Sequence, residues 1–138
     1  MSFILDSSVA LSWCFRDEHT SGSLDILNQP KSQPIFVPSL WHLEVSNVLG
    51  LALRRGRITD ADLRLILTLF ASLELHTDAI VPHITSSAVL PLMNAHSLTA
   101  YDAVYLELAF RLSLPLATLD KDLAAAAGNA GVPLLKTA

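Results

Sequence analysis

Two short apolar runs in this chain each stop at an aspartate and pass directly into a helical pattern. Phe3-Ile4-Leu5 stops at Asp6, with Ser7 and Ser8 next and apolar residues at Val9, Leu11, Trp13 and Phe15. Leu114 to Leu119 stops at Asp120, and from Lys121 the chain turns alanine-rich and helical. A brief apolar run closed by a polar residue and followed by a helix start reads as strand, strand end, helix. Asp6 and Asp120 are therefore expected at the carboxyl ends of two strands, the edge of an open α/β sheet where ligands bind. Either aspartate also suits a helix N-cap, and Asp122 the first turn behind it, where acids are favoured. After Asp6, the Ser7 hydroxyl is a second candidate cap.

The intervening chain supplies more of the same alternation. Gly22 to Gln29 reads as a short helix ended by Pro30, and Pro34 to Pro38 as a proline-bounded strand. Ser39 to Arg55 is strongly helical, with Gly56 placed to cap it. Thr59 and Asp62 form a capping-box pattern ahead of Leu63, Ile66, Leu67 and Phe70 at core spacing. Leu73 to Thr77 alternates like a half-exposed strand. Asp78 to His96 is a less regular helical segment, with Pro82 in its first turn and Pro91 marking a kink or break. Thr99 to Leu112 is helical, and Gly131 to Leu135 reads as a last strand. The expected fold is α/β: a single three-layer α/β/α domain over residues 1–138, built on a short, mostly parallel sheet.

A chain of 138 residues is long enough for one ordinary core. Its 51% apolar content is high, yet no stretch reaches the roughly 18 uninterrupted apolar residues of a membrane span. The excess suggests a surface covered by a partner. Nothing at the amino terminus marks it for secretion, so a cytoplasmic location is the expectation. Cys14 is the only cysteine, which excludes an internal disulfide and a cysteine-built zinc site. The net charge of −4 weighs against a phosphate-bearing partner, but not decisively. Without Asp6, Glu44, Asp102 and Asp120 the remaining acids only equal the Lys and Arg in number.

Two of those four acids lie on helical apolar stripes. Glu44 has Leu40 four residues before it, Val48 four after and Leu51 seven after; Asp102 is followed by Tyr105, Leu106 and Ala109 at three, four and seven. A carboxylate on such a face needs a compensating partner. Together with the two strand-end aspartates they would make an oxygen-only pocket suited to Mg²⁺ or Mn²⁺, whose natural use is phosphodiester hydrolysis. Ser7 and Thr118 offer hydroxyls that could orient ligands or water. Other chemistries find less support. The glycines are scattered rather than gathered in a phosphate loop, the five histidines lack zinc spacing, and neither Ser7 nor Ser8 has a nucleophile's context.

Taken in order, Asp6, the run Pro38-Ser39-Leu40-Trp41-His42-Leu43-Glu44-Val45, then Tyr101-Asp102-Ala103, then Leu116-Ala117-Thr118-Leu119-Asp120 resemble a PIN domain, and in particular the VapC toxins of toxin–antitoxin pairs. The resemblance covers the whole chain. It implies a Mg²⁺- or Mn²⁺-dependent endoribonuclease whose acidic site is Asp6, Glu44, Asp102 and Asp120, with Asp122 able to share or replace the role of Asp120. It also implies a homodimer silenced by a cognate antitoxin whose carboxyl-terminal segment lies across an apolar groove. Ser7 stands where threonine is frequent in such proteins and keeps the hydroxyl. Arg16 and Lys121 are the candidates to position RNA. Arg54, Arg55 and Arg57 read as favourable charge at a helix carboxyl end with solvated side chains. Two other classes remain in view: a catalytically silent RNA- or protein-binding module, and a phospho-accepting signalling domain, which would need an early acid pair where this chain has Asp6 alone.

Overall fold

The computed structural model describes residues 1–30 and 33–138. Its sheet is built around β1 (Phe3–Leu5), whose side chains are buried on both faces. β2 (Ile35–Pro38) pairs with β1 on one side and β4 (Leu116–Ala117) on the other, while β3 (Leu75–Asp78) extends the sheet beyond β2. The order β3-β2-β1-β4 contains only parallel pairs. The apolar runs are continuous rather than alternating because a parallel sheet is covered on both sides. The expected α/β fold on a parallel sheet is borne out.

Helices fill the connections. After β1 come α1 (Ser7–Ser12), a 3-10 turn at Arg16–Glu18 and α2 (Ser21–Asn28). After β2 come α3 (Leu40–Arg54) and α4 (Asp60–Ser72), and after β3 come α5 (Pro82–Ile84), α6 (Leu90–His96) and α7 (Ala100–Leu112). α8 (Lys121–Ala130) follows β4. α7 packs against β1, β2 and β4 through buried Ala103, Tyr105, Leu106 and Leu108. Its first turn therefore reaches the carboxyl edge of the sheet.

The local signals explain most boundaries. Thr59 and Asp62 exchange both capping-box bonds at the start of α4, and Gly56 takes the left-handed φ of 71° that ends α3. Three details depart from expectation. β3 begins two residues later and ends one residue later than the alternation suggested, so Asp78 closes a strand instead of opening a helix. A π-helical turn at Thr85–Val89 precedes Pro91, whose missing N–H is tolerated in the first turn of α6. The strand expected at Gly131–Leu135 shrinks to a single bridge between Leu116 and Leu134. Gly131 is spent capping α8 at φ 79°, and Pro133 contributes only its carbonyl, to the Leu116 amide.

Candidate active site

Connections leave β1 toward β2 on one side, and β4 lies on the other, so the order reverses between β1 and β4. That switch point is where an open α/β sheet forms its crevice. The register pairs Ile4 with Leu116 and Leu5 with Ala117, and the Asp6 amide donates to the Ala117 carbonyl at 3.0 Å. Asp6 and Thr118 thus leave neighbouring strands side by side. The Thr118 hydroxyl donates to Asp6 Oδ2 at 2.7 Å, and the Ser8 hydroxyl donates to the same oxygen at 2.6 Å. Only 4% of Asp6 is exposed.

Burial pushes the Asp6 carboxyl above its ordinary range, the two hydroxyls partly oppose this, and repulsion from Asp120 adds to it. Asp6 occupies the N-cap position of α1 but makes no capping bond. Ser7 is the first helical residue rather than the cap, because Asp6 already holds the extended conformation that a cap requires.

Glu44 lies just beyond the first turn of α3, half-buried, and accepts a 2.5 Å hydrogen bond at Oε1 from the Tyr105 hydroxyl of α7. Desolvation raises its pKa, as do Asp6 and Asp102, while the Tyr105 and Ser7 hydroxyls favour the ionised form. The Tyr105 phenol is itself held well above its usual range, by burial first and then by Asp6 and Glu44. Ser7 therefore serves the Glu44 side of the cluster.

Asp102 is not deep in an apolar stripe as its spacing suggested. It is half-buried in the first turn of α7, and its amide caps onto Thr99 Oγ1 at 3.2 Å. Acids are favoured there by the helix dipole, and the side chain stands at the open edge of the helix instead of under the next element. Desolvation, Asp120 and Asp6 push its carboxyl up to about 6, Thr99 lowers it, and Asp122 adds repulsion.

Asp120 does cap α8, accepting the Leu123 amide at Oδ1 at 2.9 Å. Capping and membership of the acidic cluster coexist, since its charge is felt by both Asp6 and Asp102. Asp122 is exposed in the first turn of α8 and adds repulsion at Asp102. Lys121 is exposed beside it.

The cations divide. Arg57 is committed: it contacts Asp17 and Glu18 at 2.9 Å and stacks 3.8 Å over the Phe15 ring. Arg54 and Arg55 end α3 on the surface. Arg16 lines a groove of about 440 Å³ with Trp13, Phe15, Arg57, Ile58 and Ile66, whose walls include none of the four acids.

Ser8 and Tyr105 are the residues sequence reasoning missed. By its local pattern Ser8 is only a serine without a nucleophile's context, and Tyr105 another apolar position on α7. The available signal was a hydroxyl-bearing aromatic one turn after an aspartate on the same helical face.

Among the described residues, no three His, Cys, Asp or Glu side chains are already drawn into a formed cation site. The donor chemistry nevertheless fits a hard divalent cation. Four carboxylates from β1, α3, α7 and the β4 end repel one another, and three of them hold their protons unusually tightly.

The comparisons with known proteins agree with this fold. No curated protein matches the sequence. A crystal structure from Pyrobaculum aerophilum is similar at a TM-score of 0.68 and 23% identity, covering 91% of this chain and 84% of that one. A toxin–antitoxin complex from Klebsiella pneumoniae is similar at 0.64 and 17%, covering 99% of both chains. The sarcin-ricin loop cleaving toxin VapC20 of Mycobacterium tuberculosis is similar at 0.65 and 12%, covering 90% of this chain and 94% of that one. The PIN domain family model matches residues 3–129, nearly the whole chain, and the chain belongs to that family.

Proposed function

We propose that this protein is a Mg²⁺- or Mn²⁺-dependent endoribonuclease, the VapC-type toxin of a toxin–antitoxin pair, with Asp6, Glu44, Asp102 and Asp120 as its site. The observation that carries the reading is the convergence of these four acids at the switch point of the sheet. Three have raised pKa values, by burial first and then by repulsion from neighbouring carboxylates of the cluster. The similarity to a toxin–antitoxin complex and to an RNA-cleaving toxin supports the same reading.

In this reading the protein's own groups do the orienting. Ser8 and Thr118 fix the Asp6 carboxylate at one oxygen, and Tyr105 fixes that of Glu44. Asp102, half-buried with its carboxyl raised to about 6, would be a ligand that a bound divalent cation keeps ionised. A bound divalent cation supplies the charge that offsets the carboxylates and stabilises the oxyanion developing at a phosphodiester. Exposed Arg16 and Lys121 hold the RNA backbone.

An antitoxin partner and a homodimer belong to the same proposal. Leu43, Leu65, Leu67, Leu90 and Phe110 are exposed, more apolar surface than an isolated domain needs. Among the described residues no helix is long and apolar enough to cross a membrane. The proposal places the pair in the cytoplasm.

The test is cleavage of a mixed cellular RNA pool by purified, antitoxin-free protein, in Mn²⁺ or in chelator, beside Asp102→Asn. Metal-dependent cuts at a few sites, missing from the variant, are expected. Cleavage that persists in chelator, or undiminished cleavage by the variant, refutes the site. RNA binding without turnover in Mn²⁺ makes the chain a silent binding module.

A further inference from the structure

We propose that Thr137 is a positioning residue for the acidic edge, setting the Thr118–Leu119 peptide that supports both hydroxyls on Asp6. One peptide unit is held at both ends. Its carbonyl, on Thr118, accepts the Thr137 hydroxyl at 3.1 Å, and its amide, on Leu119, donates to Ser8 Oγ at 2.9 Å. The Ser8 hydroxyl donates in turn to Asp6 Oδ2, which also accepts from the Thr118 hydroxyl. The Asp120 amide donates back to Thr118 Oγ1 at 3.0 Å, so rotating this peptide would disturb both strand-end acids.

The Thr137 hydroxyl can act only because its segment has a seat. The Thr20 hydroxyl donates to the Thr137 carbonyl, and the Gly22 amide donates to the Ala138 carbonyl at 3.2 Å. Gly22 makes the close approach possible: a Cβ there would lie 2.5 Å from the Thr137 carbonyl carbon and 2.7 Å from its Cα. Both are backbone atoms, so a side chain at residue 22 displaces the segment. Glycine inside a helix is otherwise unfavourable, and at this place in α2 the packing gives its reason. Thus α2, residues 137–138 and the loop after β4 form one mechanical chain ending on Asp6.

The inference about metal binding rests on the nuclease reading, so the test has one arm that does not. In chelator, backbone amide exchange at Leu119 and Asp120 is measured by NMR for the native protein, Thr137→Val and Thr137→Ser. Thr137→Val, which keeps the shape and loses the hydroxyl, is expected to speed both by about tenfold, while Thr137→Ser stays near native. Unchanged exchange in Thr137→Val overturns the proposal.

The second arm is Mn²⁺ titration without RNA. Thr137→Val is expected to weaken binding about threefold to tenfold, at or below what is lost when a group bonding a ligand directly is removed, and Thr137→Ser to restore it. Native binding that Thr137→Val leaves intact overturns the positioning role. Native protein that takes up no Mn²⁺ refutes the nuclease reading instead, and the exchange arm still decides whether Thr137 sets the peptide. Gly22→Ala is expected to copy Thr137→Val. If it instead raises the melting temperature, as alanine does in an unobstructed helix, and leaves exchange unchanged, the segment is not seated as described.

Discussion

Tyr105 and Glu44 belong to different helices, 61 residues apart in sequence, yet the tyrosine hydroxyl donates to Glu44 Oε1. Tyr105 is fully buried and Glu44 half-buried, so the bond orients the glutamate from below. Tyr105→Phe leaves the packing and removes the hydroxyl that donates to Glu44 Oε1, while the Ser7 hydroxyl remains on that carboxylate. The variant is expected to lose about 1–2 kcal/mol in denaturant unfolding, the usual penalty for stripping a donor from a partly buried acceptor. It is also expected to need more Mn²⁺ for half-maximal cleavage. Unchanged Mn²⁺ dependence would remove Tyr105 from the site.

Asp102 gives the sign of a pH effect. Its carboxyl is at about 6 in the folded protein against 3.8 for a free side chain. Between those values the folded chain binds more protons than the unfolded one, so this group's contribution to stability falls as pH rises through the window, and the loss is complete above about 6. In chelator, the native protein is therefore expected to lose melting temperature between pH 4 and pH 7 more steeply than Asp102→Asn. At pH 7 the variant is expected to be the more stable of the two. Thermal melts across that range check both, and parallel curves would contradict the raised Asp102 carboxyl.

Divalent metal should reverse that cost. Added Mn²⁺ is expected to raise the melting temperature of the native protein, by an amount equivalent to about 2.7 kcal/mol at a hundredfold excess over its Kd. Asp6→Asn is expected to shrink the shift, because it removes the carboxylate held by Ser8 and Thr118. Equal shifts in the two proteins would place the metal elsewhere.

Cys14 offers a check outside the site. Burial, helped by Glu18, pushes its thiol up to about 12, and Sγ points to the Ala10 carbonyl. The thiolate is the reactive form. At pH 8 a disulfide reagent is expected to label Cys14 far more slowly in the folded protein than in urea. Cys14 lines the Arg16 groove, so rapid labelling of the folded form would show that this wall opens readily.

The sequence carried the frame well and the second layer of the site poorly. Parallel strands were legible because Phe3-Ile4-Leu5 and Leu116-Ala117 are continuous apolar runs followed by helix starts. The acids stood out because carboxylates interrupt apolar spacing. What stayed hidden depends on register. That Ser8 and Thr118 converge on one oxygen follows from Ile4 pairing with Leu116, which no local pattern states. The depth of Asp102 was misjudged because helical spacing shows which face a residue shares, not whether another element covers it. The last strand failed because Gly131 had a stronger local use as a cap.

The sheet order has a consequence for how the protein is made. β1 is the first strand synthesised, yet one of its two neighbours, β4, is among the last, and Asp6 receives Thr118 across 112 residues of chain. A nascent chain still on the ribosome lacks half of its acidic edge until Asp102 and Asp120 have emerged. Closing so long a loop also delays folding. On the nuclease reading proposed above, activity would in this way be withheld while the chain's own message is still being read.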